Sequence, residues 1–198
     1  MKPILVALWI AAACAIPVAA RAAPDARIAP IVARCAACHG ESGDSTSAAV
    51  PRLNGQQPAY LVKRLNDFLA VASEDPHAMK AMWPVVSELR NDTFAAMADH
   101  YAAQPPTRSR RAGPLASTGA RIYAVGVPGQ GIASCRSCHG DQGEGGAGPR
   151  LAGQHGDYLS AQMQRLRLLT RADDTMFHNL RAIDDRQIEA LTAYLAGD

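Results

Sequence analysis

The 198-residue chain balances 20 basic against 18 acidic side chains, a formal net charge of +2. That is too little to supply the strong basic field a nucleic-acid partner wants. Aromatic residues make up only 5% of the chain, so each folding unit is poor in the large side chains that build a core.

The first element is a leader. Met1-Lys2 precedes an apolar run from Ile4 to Ala20, interrupted by Pro17, and Ala20-Arg21-Ala22 offers a small-x-small cleavage site. A run this short, broken by proline, reads as a secretory signal peptide over residues 1–23 and not as a membrane span. Cleavage is expected after Ala22 or Ala23. Cys14 follows Ala11-Ala12-Ala13 but lacks the leucine usual three residues before a lipidated cysteine, so it reads as part of the hydrophobic leader. Lys2 and Arg21 leave with the leader, and the mature chain is close to neutral. No later stretch is long and apolar enough to span a bilayer; peripheral membrane association stays open. Export points to a bacterial periplasm.

The four cysteines outside the leader fall in Cys35-Ala36-Ala37-Cys38-His39 and Cys135-Arg136-Ser137-Cys138-His139. Cys-x-x-Cys-His is the attachment signal for a c-type haem. Two thiols one helical turn apart add to the porphyrin vinyl groups, and the adjoining histidine ligates the iron from below. Two copies predict two haem c groups. Zinc knuckles would stand much closer together, a thioredoxin-like site needs a βαβ context that is missing, and a local disulfide would not explain the repeated histidine.

The mature chain is an internal repeat, with Cys35 and Cys135 at matching places. Pro51-Arg52-Leu53-Asn54-Gly55-Gln56 then Tyr60-Leu61 matches Pro149-Arg150-Leu151-Ala152-Gly153-Gln154 then Tyr158-Leu159. Leu61, Leu65, Phe68 and Leu69, and in the second copy Leu159, Met163, Leu166 and Leu169, mark one buried helix face. Each copy closes on a further helix, through Phe94, Met97, Ala98 and Tyr101 or through Ile188, Leu191, Ala193, Tyr194 and Leu195. Strand signals are nearly absent. The expectation is an all-α chain with short helices and long ligand-bearing loops. Its domains are 24–104 and 114–198, joined by a Pro- and Arg-rich linker at 105–113. The three linker arginines, Arg108, Arg110 and Arg111, read as solvated side chains before they read as a docking patch. Each half is too small to be stable without a haem to pack around.

A haem iron with one histidine needs a sixth ligand or an open site. The first half offers Met79 and Met82, the second Met176. Met82 lies seven residues before Leu89 and Met176 seven before Ile183, so these two correspond and are assigned as axial thioethers. Met97 and Met163 sit on apolar helix faces and read as core. His77 and His178 keep bis-histidine ligation open, although His178 has no counterpart in the first half. His100 and His155 have no role legible in the sequence. Axial histidines donate their other ring nitrogen to a carbonyl or carboxylate, and Pro51 and Pro149 are candidate acceptors. Arg52 and Arg150 are candidates to pair with haem propionates, and Tyr60 and Tyr158 to pack near the haem or bond a propionate.

Together these blocks resemble the two-haem cytochrome c4 family across essentially the whole mature chain. The resemblance implies tandem class I cytochrome c domains with haems facing each other across the interface. It implies thioethers at Cys35, Cys38, Cys135 and Cys138, and His/Met ligation by His39 and Met82, and by His139 and Met176. Pro51 and Pro149 would stand behind the histidines. It also implies a periplasmic electron carrier and not an enzyme, taking electrons from a quinol-oxidising complex or a dehydrogenase and passing them to a terminal oxidase or reductase. Two departures stand out. The family's Leu-Ser-Asp turn is replaced by Leu89-Arg90-Asn91-Asp92 and Ile183-Asp184-Asp185. The first half also lacks the Gly-x-x-x-aromatic helix seen at Gly119 and Tyr123. A second reading is the cytochrome subunit of a larger oxidoreductase, of the flavocytochrome sulfide dehydrogenase or alcohol dehydrogenase type. A third, an enzyme such as a dihaem peroxidase or thiosulfate-oxidising protein, is disfavoured: no cysteine is left over as a ligand, and each half has a methionine to close its iron.

Overall fold

Pro30, Pro58, Pro76 and Pro114 stand at helix starts, because a residue there needs no backbone donor and proline already holds the helical φ. The structure, a computed structural model, describes residues 24–70, 76–168 and 173–197. The leader with Cys14, and Leu169, lie outside them, and the side chains of His77 and Met79 are also not among those described. Helix α1 (Ala29–His39) carries Pro30 in its first turn and runs straight through the first cysteine motif to Gly40. α2 (Pro58–Leu69) begins on proline and buries Leu61 and Phe68. α3 (Pro76–Val86) follows, then a 3-10 turn at Asn91–Thr93 leads into α4 (Phe94–Ala102). All four residues expected on the last helix of this half, Phe94, Met97, Ala98 and Tyr101, are buried.

The second half is built differently at its start. α5 (Gly113–Val125) is a separate helix, and the cysteine motif sits on the single turn α6 (Arg136–His139) after an irregular connection. α7 (Gly156–Arg167) matches α2, and α8 (Asp174–Leu180) matches α3 in order. α9 (Asp185–Leu195) closes the chain. Asp184 caps α9: its carboxylate accepts from Gln187 N at 2.8 Å while Gln187 Oε1 accepts from Asp184 N at 3.0 Å. This capping box explains the Ile183-Asp184-Asp185 departure, since Asp184 does what a serine would do there. The first half manages its turn with the Thr93 hydroxyl donating to Arg90 O at 2.7 Å. Among the described residues there is no strand, only two isolated bridges.

The apolar clusters do not cross the chain's midpoint. Ile28, Val32, Leu61, Met97, Ala98 and Tyr101 form one, and Phe68, Val86 and Phe94 a second. A larger cluster joins α5, α7 and α9 through Tyr123, Leu159, Leu166, Ile188, Leu191 and Leu195. α5 and α9 cross so closely that a Cβ at Gly119 would lie 1.9 Å from Ala190 O and 2.9 Å from Tyr194 Cβ. The Gly-x-x-x-aromatic pattern is thus a contact device: the glycine admits α9, and Tyr123 packs on Tyr194 with ring centroids 5.3 Å apart.

The segment read as a linker is stitched down at both ends. Asn54 Nδ2 donates to Pro105 O at 2.8 Å, and the Thr107 hydroxyl donates to Asp44 Oδ1 at 2.9 Å. Further on, the Ser109 hydroxyl donates to Leu195 O at 2.7 Å and Arg110 N to Ala196 O at 2.9 Å. Arg108, Arg110 and Arg111 are exposed, as a solvated reading expects, but Arg111 stacks 4.6 Å from the Tyr194 ring centre. Periodicity could not reveal this strap, because its bonds run from hydroxyls and backbone and not from an apolar face.

Gly119→Ala should destabilise the haem-loaded protein by about 3 kcal/mol, the upper range for overpacking. Denaturant unfolding followed by far-UV circular dichroism measures this; an unchanged midpoint would mean that α5 and α9 are not packed at this distance.

Candidate functional site

Both motif histidines end a helix, are buried, and meet the same kind of partner. His39 is 6% exposed and His139 5%. His39 Nδ1 lies 2.8 Å from Pro51 O, and His139 Nδ1 lies 2.8 Å from Pro149 O. A carbonyl only accepts, so Nδ1 carries the proton and Nε2 keeps its lone pair. Burial pulls both imidazoles below the usual histidine pKa, against a smaller opposing pull from the proline carbonyl. Each ring is therefore neutral, oriented, and able to donate through Nε2 to a metal.

The cysteines repeat one asymmetry. Cys35 and Cys135 are half-buried, Cys38 and Cys138 exposed, and none of the four is in a disulfide. Burial raises the Cys35 thiol and pushes the Cys135 thiol up to about 11. The wall of each site also repeats in outline. The Tyr123 hydroxyl donates to Gly140 O at 2.6 Å, bracing the loop after the second motif. In the first half Tyr101, from α4, belongs to the apolar cluster against which Cys35 packs.

The two methionines chosen by spacing each lie on a helix and pack on an apolar cluster of their own half. Met82 lies on α3, half-buried against the cluster of Phe68, Val86 and Phe94. Met176 lies on α8, half-buried against the second-half cluster. Both sit on helices where loops were expected. For α8 the cause is local: Asp173 accepts from Met176 N at 3.1 Å and starts the helix. Met97 is buried at 3% exposure and Met163 packs on the second core. His178 is exposed, with Nδ1 2.7 Å from Asp174 O. His100 is buried near Gln104.

Arg52 and Arg150 are engaged with protein groups. Arg52 Nε pairs with Asp44 Oδ1 at 2.8 Å, and its Nη1 donates to Gly153 O at 2.8 Å. Arg150 Nη2 reaches Thr107 O at 3.4 Å. Tyr60 and Tyr158 are half-buried at the second residue after each helix start.

Sequence reasoning missed the polar seam between the halves. Arg52 N donates to Gln154 Oε1 at 2.8 Å, and Gln154 Nε2 donates back to Arg52 O at 3.0 Å. The mirror pair is Arg150 N to Gln56 Oε1 at 2.8 Å and Gln56 Nε2 to Arg150 O at 2.9 Å. The interface is a pseudo-twofold in which each half presents the same element to the other. Outside this core, His155 Nε2 donates to Ser45 O at 2.8 Å, and Gln57 Nε2 donates to Gly146 O at 2.7 Å. The signal was present: both glutamines end the repeated Pro-Arg-Leu-x-Gly-Gln block. Its reason was not visible, because each glutamine's partner lies about 100 positions away in the other copy.

The comparisons with known proteins agree with this geometry. A cytochrome c family model matches residues 116–197. The chain is 36% identical over 170 residues to cytochrome c4 of Thiocapsa roseopersicina, covering 82% of this chain and 86% of that one. The chain belongs to the cytochrome c4 family. The solved cytochrome c4 of Acidithiobacillus ferrooxidans superposes with a TM-score of 0.77 at 33% identity, covering 83% of this chain and 99% of that one. A protein of Stutzerimonas stutzeri named thiosulfate dehydrogenase electron acceptor is 35% identical, over 84% of this chain and 80% of that one. The all-α architecture is that of the family, and the chain is a c-type cytochrome, an electron-transfer protein and not itself an enzyme. Its cofactor is haem c and its partners are redox proteins. Among the described residues no helix is long and apolar enough to cross a membrane.

The residues present fit a haem. The donor set is a neutral imidazole with a free Nε2, two unpaired thiols one turn away, and a thioether on another helix. The protein also keeps space beside the ring: a Cβ at Gly148 would lie 2.7 Å from His139 Cε1.

His155→Leu should cost about 1–3 kcal/mol, because it leaves Ser45 O buried without its donor. The measurement is the denaturation midpoint of the haem-loaded protein; Ser45 is 2% exposed, so water cannot replace the lost bond without opening the seam.

Proposed function

We propose that the chain carries two haem c groups, one in each of two domains over residues 24–104 and 114–198, with residues 105–113 joining them. Cys35 and Cys38 hold the first haem and Cys135 and Cys138 the second. His39 with Met82, and His139 with Met176, are the axial pairs. The observation that carries this reading is the duplicated hydrogen bond from a buried histidine Nδ1 to a proline carbonyl, which leaves Nε2 as a lone-pair donor in both halves. When bound, each haem supplies a one-electron Fe(III)/Fe(II) couple.

The protein groups around that couple do four things. The thiols fix the ring to the chain. The Pro51 and Pro149 carbonyls hold the imidazoles in one tautomer and orientation. The Met82 and Met176 thioethers would hold each iron opposite in role to the histidines and favour the reduced state, which would raise the potential. The buried walls keep water from the metal. Six-coordinate sites of this kind move electrons and leave no place for substrate. Arg52, Arg150, Tyr60 and Tyr158 are proposed to line the haem edges; the bonds of the two arginines to protein groups make theirs positioning roles.

The setting is the periplasm, reached through the cleaved leader at residues 1–23. The chain passes electrons from a respiratory donor, either a quinol-oxidising complex or a dehydrogenase, to a terminal oxidase or reductase. The likeness to the thiosulfate dehydrogenase electron acceptor supports a dehydrogenase as donor. It equally supports the second reading, in which the chain docks as the cytochrome subunit of a larger oxidoreductase. Co-purification with a dehydrogenase at fixed stoichiometry would favour that reading.

The reduced protein should bind carbon monoxide slowly or not at all. Met82→Ala and Met176→Ala should each open one site to carbon monoxide and lower the potential of that haem alone. Rapid binding to the unsubstituted protein, or an unchanged absorption spectrum in a variant, would remove the corresponding methionine from the ligand set.

A further inference from the structure

The proline carbonyl that accepts from each axial histidine belongs to a peptide group with a second engaged atom. In the first half the group is Pro51–Arg52. Its oxygen accepts from His39 Nδ1 at 2.8 Å, and its N–H donates to Gln154 Oε1 at 2.8 Å. In the second half the group is Pro149–Arg150, accepting from His139 Nδ1 at 2.8 Å and donating to Gln56 Oε1 at 2.8 Å. In both cases the glutamine comes from the other half. Gln56 is 7% exposed and Gln154 8%, so these contacts lie in the low-dielectric interior, where hydrogen bonds polarise one another.

The direction of the polarisation follows from the amide. Carbonyl and N–H share one delocalised system. An acceptor on the N–H pushes electron density onto the oxygen, and the oxygen then pulls harder on the histidine Nδ1 proton. A stronger pull makes the imidazole more basic toward the metal. It favours Fe(III) and lowers the potential. The glutamine amides have only one workable orientation here. Each Oε1 faces an N–H donor and each Nε2 faces a carbonyl, at 3.0 Å for Gln154 to Arg52 O and 2.9 Å for Gln56 to Arg150 O. A flipped amide would set donor against donor.

We propose that Gln56 and Gln154 are crossed tuning residues. Gln154 sets the potential of the haem ligated by His39, and Gln56 sets that of the haem ligated by His139, each through the intervening Pro–Arg peptide. The proposal rests on the assignment of His39 and His139 as axial ligands. The glutamines touch no reacting atom; they position and polarise. The relay makes each haem responsive to how the halves are docked.

The test is a redox titration of the full haem-loaded protein followed by NMR, in which each axial histidine's ring resonances report their own haem. Gln154→Met has similar length and no amide. It should raise the His39 haem's reduction constant roughly threefold, with a much smaller change at the His139 haem, and it should shift the His39 Nδ1 proton upfield. Gln56→Met should do the reverse. Gln57→Met breaks another bond of the same seam, to Gly146 O at 2.7 Å, without touching either Pro–Arg peptide, and should leave both Nδ1 protons in place. Gln154→Glu retains an acceptor oxygen, so the His39 Nδ1 proton should not move upfield; this variant serves if the methionine variants fold poorly. Equal shifts at both haems, a larger shift at the glutamine's own haem than at the other, an upfield shift in Gln154→Glu, or no shift in well-folded methionine variants would overturn the proposal. Absence of an axial histidine resonance in the unsubstituted protein would instead refute the ligand assignment.

Discussion

The structure depends on two peptide groups, Pro51–Arg52 and Pro149–Arg150. Each has its carbonyl on a motif histidine and its N–H on a glutamine from the opposite half. Proline suits the first position because it has no N–H of its own and fixes the backbone entering the peptide. Arginine brings more than its backbone: the Arg52 side chain reaches Asp44 and Gly153, tying the same residue to both halves. A one-residue shift in either block would turn the carbonyl away from the histidine and the N–H away from the glutamine together. Orientation of the ligands and docking of the halves are therefore one constraint and not two.

That constraint explains why the seam is polar. The apolar clusters stay within their own halves, so the contact between halves relies on paired backbone and amide groups. Such groups reward correct register and penalise anything else, since a buried amide without its partner costs more than the bond gains. The strap at residues 105–110 works the same way, using Thr107 and Ser109 hydroxyls on Asp44 and Leu195 O. The result is a junction defined by the register of its paired polar groups.

Legibility followed sequence distance. The last helices were readable because each is a local pattern. The four first-half residues on the α4 face are all buried, as their spacing requires. The methionine helices were read as loops, because the start of α8 hangs on one side-chain cap at Asp173 and α3 carries Pro84 in its interior, a poor advertisement for a helix. The cross-seam bonds and the strap were invisible because their partners are remote and polar. His155 is the sharpest case. It looked roleless as a lone histidine, yet its position is filled by Gln57 in the first copy, and both reach across to a carbonyl of the other half. Two different side chains doing one job at one repeat position hide that job from any comparison of letters.

The two halves have also diverged where their burdens differ. In the second half α5 is an independent helix locked to α9 by Gly119 and Tyr123, and the motif turn α6 is hung from it by the Tyr123 hydroxyl on Gly140 O. The first half fuses these parts: α1 runs unbroken into His39, and Tyr101 of α4 takes the place beside the first cysteine. The fused helix uses fewer residues: α1 spans 11, against 13 for α5 and 4 for α6. The pseudo-twofold is thus symmetric in its bonds across the seam without being symmetric in the helices that carry the histidines.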